Sequence, residues 1–321
     1  MAVTVWFLTL PGVMALDMTG PAETLRLAGP EIELRYTGPC STVVSSTQMT
    51  ISDIVPLPEQ LPTGSLLIIP GVENSAWQLE QAAAREAGNW LLTQQAAIRR
   101  GDVTLVCICA GALLAARSGL LDGVACTTHH QVLDRLRDLA PHSRVLDNRV
   151  FIEDRGIWTS AGITTGIDLS LHLISRMFGP RKALEVAREM VVWFRRSGDD
   201  PQLSPWLRYR NHLHPAIHKV QDLISQHPEQ TWPLSELADR VHISSRHLTR
   251  LFRRYLGVSV HEYQQQLRVA VAGQRLQQGE GIEKAALAAG FSSARQFRRT
   301  RSRLQESSGE SVAEGARLPV S

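Results

Sequence analysis

Lysine is nearly missing from this chain: of 34 basic residues among 321, only Lys182, Lys219 and Lys284 are not arginine. Cysteine is sparse as well. The four, Cys40, Cys107, Cys109 and Cys126, all precede residue 127, which excludes the dense disulfide framework of a small secreted domain. There is no CxxC spacing and no His-rich tract, so no zinc signature is present, and neither a metal nor another cofactor is expected. Long apolar runs are also lacking. The longest, Val103 to Ala116, is bounded by Asp102 and Arg117 and falls short of the roughly 20 residues that span a bilayer. The opening MAVTVWFLTLPG has no basic residue ahead of its apolar stretch and is cut by Pro11-Gly12, so it reads as a first strand rather than a secretory leader. The expectation is a reduced, cytoplasmic protein without a membrane partner.

What is present is a globular composition, 43% hydrophobic and 20% charged, on a length that favours two domains. The net charge of +3 conceals a division. Residues 214 to 321 carry 15 Lys+Arg against 10 Asp+Glu, whereas residues 1 to 213 carry 19 against 21. A basic half therefore follows a mildly acidic one. Because the basic residues are nearly all arginine, they suit bidentate contacts with phosphate and guanine.

In the first half, short apolar runs alternate with helical patterns, which predicts a mainly parallel sheet covered by helices. Strands are expected at Val3 to Leu10, Ile32 to Tyr36, Leu66 to Ile69, Val103 to Cys109 and near Val150 and Trp158. Helices are expected at Pro21 to Ala28, Ala76 to Arg100, Gly111 to Ser118, His130 to Leu139, Ile163 to Phe178 and Arg181 to Phe194. Turn formers then crowd residues 195 to 215, as in an interdomain linker. The predicted organisation is an α/β domain over 1–194, a linker over 195–215, an all-α domain over 216–310 and a disordered tail over 311–321. In that second domain six helices follow one another, and a helix-turn-helix pattern occurs twice.

The first unit is PLSELADRVHISSRHLTRLFRR, with Ser244 or Ser245 as N-cap of its second helix. On a helical wheel Leu248, Leu251, Phe252 and Tyr255 share one face, and Arg246, Thr249, Arg250 and Arg253 share the other. The second unit, IEKAALAAGFSSARQFRRTRSRL, places Phe297 and Leu304 inward and Arg295, Arg298, Arg299 and Ser302 outward. A single basic helix face is often only solvated. Two of them, separated by the long helix Val260 to Gln278, fit successive major grooves about 34 Å apart. Double-stranded DNA is the implied partner, with Ser245, Arg246, Thr249, Arg250, Arg253, Arg295, Arg298 and Arg299 as the contact residues.

Through LSELADRVHISSRHLTRLFRRYLGVSVHEYQQQLR and AALAAGFSSARQF, residues 216 to 300 resemble the DNA-binding region of AraC-type transcriptional regulators. That resemblance implies base reading by Arg246, Thr249 and Arg250, and by Arg295, Arg298 and Arg299. Where the family continues its last helix with two aromatics and a glycine-proline turn, this chain has Arg301, Gln305, Glu306 and Gly309. Arg301 is then expected on the apolar face.

In the first half, Val103 to Cys109 stops abruptly at Cys109-Ala110-Gly111 and turns into a helix. A thiol there meets a helix N-terminus, which favours the thiolate. His129 or His130 could supply a base and Asp17 a carboxylate, although a small buried cysteine is the plainer reading. CAGALLAARSGLLDGVACTTHH, LPGVMALDMTGPAETL, LLIIPG and TSAGITTGIDLSLHLI resemble the ThiJ/PfpI, class I glutamine-amidotransferase-like, superfamily. The resemblance implies a doubly wound, flavodoxin-like parallel sheet, with Cys109, His129 and Asp17 at the site and Gly71 and Gly111 lining it. Followed by an AraC-type region, this domain is similar to the sensor of GlxA-type, FtrA-like regulators, in which it acts as a sensor and dimerisation module rather than an enzyme. Two positions depart from the pattern: Asp17 stands where the enzymes commonly have glutamate, and His130 where the regulators usually have tryptophan.

The expectation is thus a homodimeric transcriptional regulator with a small-molecule effector and RNA polymerase as a further possible partner, its sensor domain non-catalytic. Two alternatives stay open: a cysteine-dependent amidase or glyoxalase-like enzyme using Cys109 and His129, and an oxidant sensor acting through Cys109.

Overall fold

The computed structural model describes residues 3–192, 196–198, 202, 209–210, 212 and 214–314. Much of the expected linker, from 195 to 213, and residues 315–321 of the expected tail lie outside the described residues. The chain divides into two compact units, Met1–Gln202 and Leu203–Ser321.

The first unit contains β1 (Val3–Leu8), β2 (Ile32–Thr37), β3 (Val43–Val44), β4 (Thr50–Ile51), β5 (Ser65–Ile69), β6 (Val103–Ile108), β7 (Ala125–Cys126), β8 (Arg144–Val145), β9 (Phe151–Asp154) and β10 (Ile157–Ser160). Six of them form one sheet in the order β2-β1-β5-β6-β10-β9, parallel throughout except where β9 runs against β10. The central strands SLLII and VTLVCI are rich in β-branched residues and covered on both faces, as in parallel sheets between helical layers. Register is level at the business end: Ile69 pairs with Cys107, so the turns after β5 and β6 leave the sheet side by side. The strand order reverses between β1 and β5, and the crevice at the carboxyl ends of the strands there is where such sheets place ligands. The expected doubly wound sheet is therefore what the chain forms.

Several helix boundaries differ from the periodicity: the helix expected over Arg181 to Phe194 ends at Glu189, and the last helix runs through Glu314, into the tail expected from residue 311. The helix Ala15–Arg26 starts six residues before Pro21, which the sequence places at a helix start. Tertiary contacts hold the added turn, since Met14 N–H donates to Gly71 O at 2.8 Å and Ala15 N–H to Ser46 Oγ at 3.1 Å. The predicted helix Ala76 to Arg100 is two, Ser75–Gln78 and Ala82–Arg100, because Gln81 is extended.

The second unit holds the six expected helices: Pro215–Gln226, Leu234–Arg240, Ser245–Leu256, Val260–Gln277, Ile282–Ala288 and Ala294–Glu314. Ser259 and Glu262 form a reciprocal capping box that starts the long helix. Two apolar clusters flank that helix. One gathers Ile217, Leu237, Leu248, Phe252, Tyr263 and Leu267; the other gathers Ala272, Ala286, Phe291 and Phe297. Tyr255 and Arg301 correct the wheel: Tyr255 is 40% exposed and Leu256 is buried in its stead, while Arg301 is exposed and Thr300 turns inward.

Between the clusters sits Arg268, only 9% exposed. Its guanidinium donates to Pro228 O at 2.7 Å, Gly290 O at 2.9 Å, Gln230 O at 2.8 Å and Glu229 O at 3.2 Å. Burial lowers its pKa, with the Glu229 charge opposing. Gly290 makes the approach possible: at φ +86° and with space for no side chain, since a β-carbon would lie 2.4 Å from Glu229 O. One side chain thus joins the loop before the first helix-turn-helix to the turn of the second. Arg268→Met is expected to lower the stability of this unit by roughly 2 to 4 kcal/mol, because buried carbonyls lose their donors. Urea unfolding followed by helical circular dichroism checks this; a loss below about 0.5 kcal/mol would contradict the role.

Candidate functional site

Four chain segments meet at the carboxyl ends of the sheet strands. Asp17 comes from the first helix, Gly71 from the turn after β5, Cys109 from the turn after β6 and Gly162-Ile163 from the turn after β10. Asp17 is fully buried, and its Oδ1 accepts the Ile163 N–H at 2.5 Å. Its Oδ2 is buried without a hydrogen-bond partner of good geometry, although the Cys109 thiol and the Gly71 amide lie near enough to favour the carboxylate. Cys109 is 7% exposed, and its N–H donates to Ser160 O at 3.0 Å.

Both Cys109 and Ile163 are held in the left-handed region, at φ +54° and +53°, conformations that cost energy for residues with a β-carbon. Glycines make room for them. A β-carbon on Gly71 would lie 2.5 Å from Asp17 Oδ2 and 2.9 Å from Cys109 Cβ, and one on Gly162 would lie 2.8 Å from Cys109 Sγ. Gly111 serves packing, since a β-carbon there would lie 2.0 Å from Ile69 O.

The electrostatics differ from the sequence expectation of an activated thiol. Burial pushes the Cys109 thiol well above its ordinary value, the Asp17 charge pushes the same way, and the Ala110 amide at the helix start opposes both with a smaller effect. Desolvation wins over the helix terminus. Burial also raises the Asp17 carboxyl, against the Ile163 amide above all. His129 does not reach the thiol among the described residues. Its Nδ1 accepts from Gln131 N–H at 3.5 Å, capping a short turn, and its ring lies 4.2 Å from that of His130. Burial, and then His130, lower its pKa.

Sequence reasoning found Asp17, Gly71 and Cys109 but missed Ile163 and Thr128, whose hydroxyl donates to Cys109 O at 2.7 Å. The TSAGITTG segment gave the one available hint for Ile163, a glycine beside a residue that must turn.

In the second unit, Ser244 caps the helix Ser245–Leu256 by accepting His247 N–H at 3.2 Å. Arg246, Thr249, Arg250 and Arg253 lie exposed along it, as do Arg295, Arg298 and Arg299 on the helix Ala294–Glu314. Ser245 is half-buried, and its carbonyl accepts the Thr249 hydroxyl at 3.0 Å. Elsewhere in the unit Arg240 pairs with Glu236 and Arg275 with Glu280. Among the described residues none of the six face arginines has an acid in ion-pair contact; Arg250 instead meets His247 Nδ1 at 2.9 Å.

A doubly wound α/β domain with a strained elbow cysteine, joined to two helix-turn-helix units, defines a class in which a ligand-binding fold and a DNA-binding module share one chain. The DJ-1/PfpI family model matches residues 3–176 and a helix-turn-helix domain model matches residues 237–311. The chain belongs to the DJ-1/PfpI family and carries an AraC-type helix-turn-helix domain after it, the arrangement of the GlxA-type regulators. It is 30% identical over 302 residues to the HTH-type transcriptional regulator CdhR of Pseudomonas aeruginosa, covering 92% of this chain and 87% of that one. It is 28% identical over 183 residues to the isonitrile hydratase of Pseudomonas putida, covering 56% and 74%. A ThiJ/PfpI family protein from Pseudomonas syringae superposes with a TM-score of 0.54 at 19% identity, covering 70% and 87%, a likeness of fold.

Two outcomes follow from the pocket. In native protein at pH 8, Cys109 should react with a disulfide reagent far more slowly than the half-buried Cys40; equal rates would contradict the desolvated thiol. Asp17, with its pKa raised on folding, withdraws stability as pH climbs past its unfolded value of about 3.9. Asp17→Asn, which keeps an acceptor for Ile163, should therefore raise Tm at pH 7 to 8, and the gain should shrink toward pH 4.

Proposed function

We propose that this protein is a sequence-specific, DNA-binding transcriptional regulator whose first unit senses a small molecule and whose second unit reads the operator. The observation that carries the reading is the pair of recognition faces whose arginines are exposed and, among the described residues, in ion-pair contact with no acid. Unpaired guanidinium groups on a helix that follows a turn are suited to guanine edges and phosphates. The relationship to CdhR supports the same reading. No helix among the described residues is long and apolar enough to cross a membrane, which agrees with a cytoplasmic regulator. A homodimer, with RNA polymerase as a further partner, completes the proposal.

Within the first unit, Asp17, Gly71 and Cys109 line the proposed effector site; of the other two residues expected there, Gly111 packs against Ile69 and His129 caps its own turn. A sensing role suits the pocket better than a hydrolase role. The thiol is desolvated and His129 is engaged elsewhere, so the pair lacks the nucleophile–base contact on which thiol catalysis depends. Asp17 Oδ2, near the Cys109 thiol and the Gly71 amide but without a hydrogen bond of good geometry, offers an effector an acceptor when ionised and a donor when protonated.

Footprinting of the protein on the DNA upstream of its own gene should show protection that fades as salt rises. Arg250→Ala is expected to weaken specific binding by about 1 to 3 kcal/mol and to relax preference at one base position. Absence of any protected site at low salt would sink the regulator reading, and unchanged affinity of the variant would remove Arg250 from the contact set.

A further inference from the structure

Among the described residues at the end of the first unit, Arg196, Gly198 and Gln202 are fastened to its body, and the contacts of two of them lead back to the pocket. Arg196 N–H donates to Asp168 Oδ1 at 2.9 Å, and its guanidinium reaches Asp168 Oδ2 at 2.6 Å and Thr164 Oγ1 at 2.7 Å. Thr164 follows Ile163, whose amide holds Asp17. Gly198 O accepts Val150 N–H at 3.1 Å, and a β-carbon at 198 would lie 2.7 Å from Phe151 O. Gln202, the last residue of the unit, donates through Nε2 to Thr128 O at 2.7 Å and Thr127 Oγ1 at 3.3 Å. Thr128 in turn donates to Cys109 O.

We infer that Arg196, Gly198 and Gln202 anchor a strap that reports the state of the Cys109–Asp17 pocket to the chain leaving the unit. The inference rests on the regulator reading and adds its route. Each of the two strained residues is one or two side chains from an anchor: Cys109 through Thr128 to Gln202, and Ile163 through Thr164 to Arg196. A left-handed, β-branched or thiol-bearing residue has a lower-energy backbone basin available, so each turn has a second arrangement into which it can relax. Rotation at Cys109 moves the carbonyl that Thr128 holds, and rotation at Ile163 moves the Thr164 hydroxyl that Arg196 holds. The anchors are unequal. Arg196–Asp168 is charge-assisted, with Nε and Nη2 both on Oδ2 and the backbone N–H on Oδ1, whereas Gln202 makes neutral bonds, roughly half as strong, and buries its Oε1 without a partner. The Gln202 contacts therefore release before those of Arg196. An effector that favours the relaxed turn shifts that population by its difference in affinity for the two states.

The test uses the full chain and needs no effector, because substitutions take its place. Gln202→Leu removes the exit anchor without loss of volume, and Thr128→Val removes the link to Cys109. Backbone hydrogen exchange should respond in both directions. Gln202→Leu should speed exchange at Cys109–Leu113 by about threefold or more, and Thr128→Val should do so at 196–202. In DNA-binding titrations each variant should change affinity in the same direction by about fivefold or more, and the double variant no more than the larger single change, since both open one route. Pocket exchange unchanged by Gln202→Leu in a chain of parental Tm, or strictly multiplicative affinity changes, would overturn the strap. Gln202→Asn, which keeps the amide but shortens its reach, gives the same reading if the leucine variant fails to fold. A parent chain that binds no DNA defeats the regulator reading alone, and the exchange measurement then decides the strap.

Discussion

A single buried guanidinium governs the geometry of the basic half. Among the described residues Arg268 has no carboxylate in ion-pair contact; it is held by four main-chain carbonyls drawn from two loops far apart in sequence. Arginine alone among side chains offers five donors in a fixed fork, so the contact sets direction as well as distance. The long helix of 18 residues spans about 27 Å, and Arg268 sits at its middle, where the two helix-turn-helix units would otherwise pivot. Two recognition faces are useful on DNA only at the groove spacing. In this chain that spacing depends on a polar contact between two apolar clusters, each of which packs mainly its own unit.

The acidic half poses the opposite balance. A cysteine at a strand-to-helix elbow is in a place that can lower its pKa, and the Ala110 amide acts in that sense. The helix it begins, Gly111–Arg117, is short and buried as far as Ala116, and desolvation together with the Asp17 carboxyl outweighs it. The outcome is a neutral thiol beside a carboxyl with a raised pKa, both held by strained turns. Such an arrangement stores conformational energy next to an unsatisfied acceptor and lends itself to recognition more than to nucleophilic attack.

Much of this was legible in the amino-acid order, and the exceptions have physical causes. Long runs such as VTLVCI declare themselves as strands, and the six principal strands and the six C-terminal helices lie where periodicity put them. The two-residue strands β3, β4, β7 and β8 were not legible, because two residues carry no period; they exist through contacts such as Gly12 N–H to Val44 O at 2.8 Å. Pro21 misled because its usual place at a helix start gave way to tertiary capping of the preceding turn. Asp17 and Cys109 were found because each comes after a strand, and Gly71 through the family resemblance of its segment. Ile163, Thr128 and Arg268 were not, since each acts through a main-chain group, its own amide for Ile163 and distant carbonyls for the other two, that only the fold brings near. Tyr255 shows the limit of the helical wheel: it lies beside the rings of His212 and His214, 5.8 and 5.2 Å away, which gives an exposed aromatic a place that no apolar face requires.

The central claim is that two arginine faces, set by one clamp, enter successive major grooves. Methylation interference at guanine N7 on a footprinted operator tests it most directly. The account predicts, for each protein chain, two clusters of interfering guanines on one face of the duplex, centred about 10 base pairs apart. A single cluster per chain, or no interference at guanine N7 within the protected site, would contradict it.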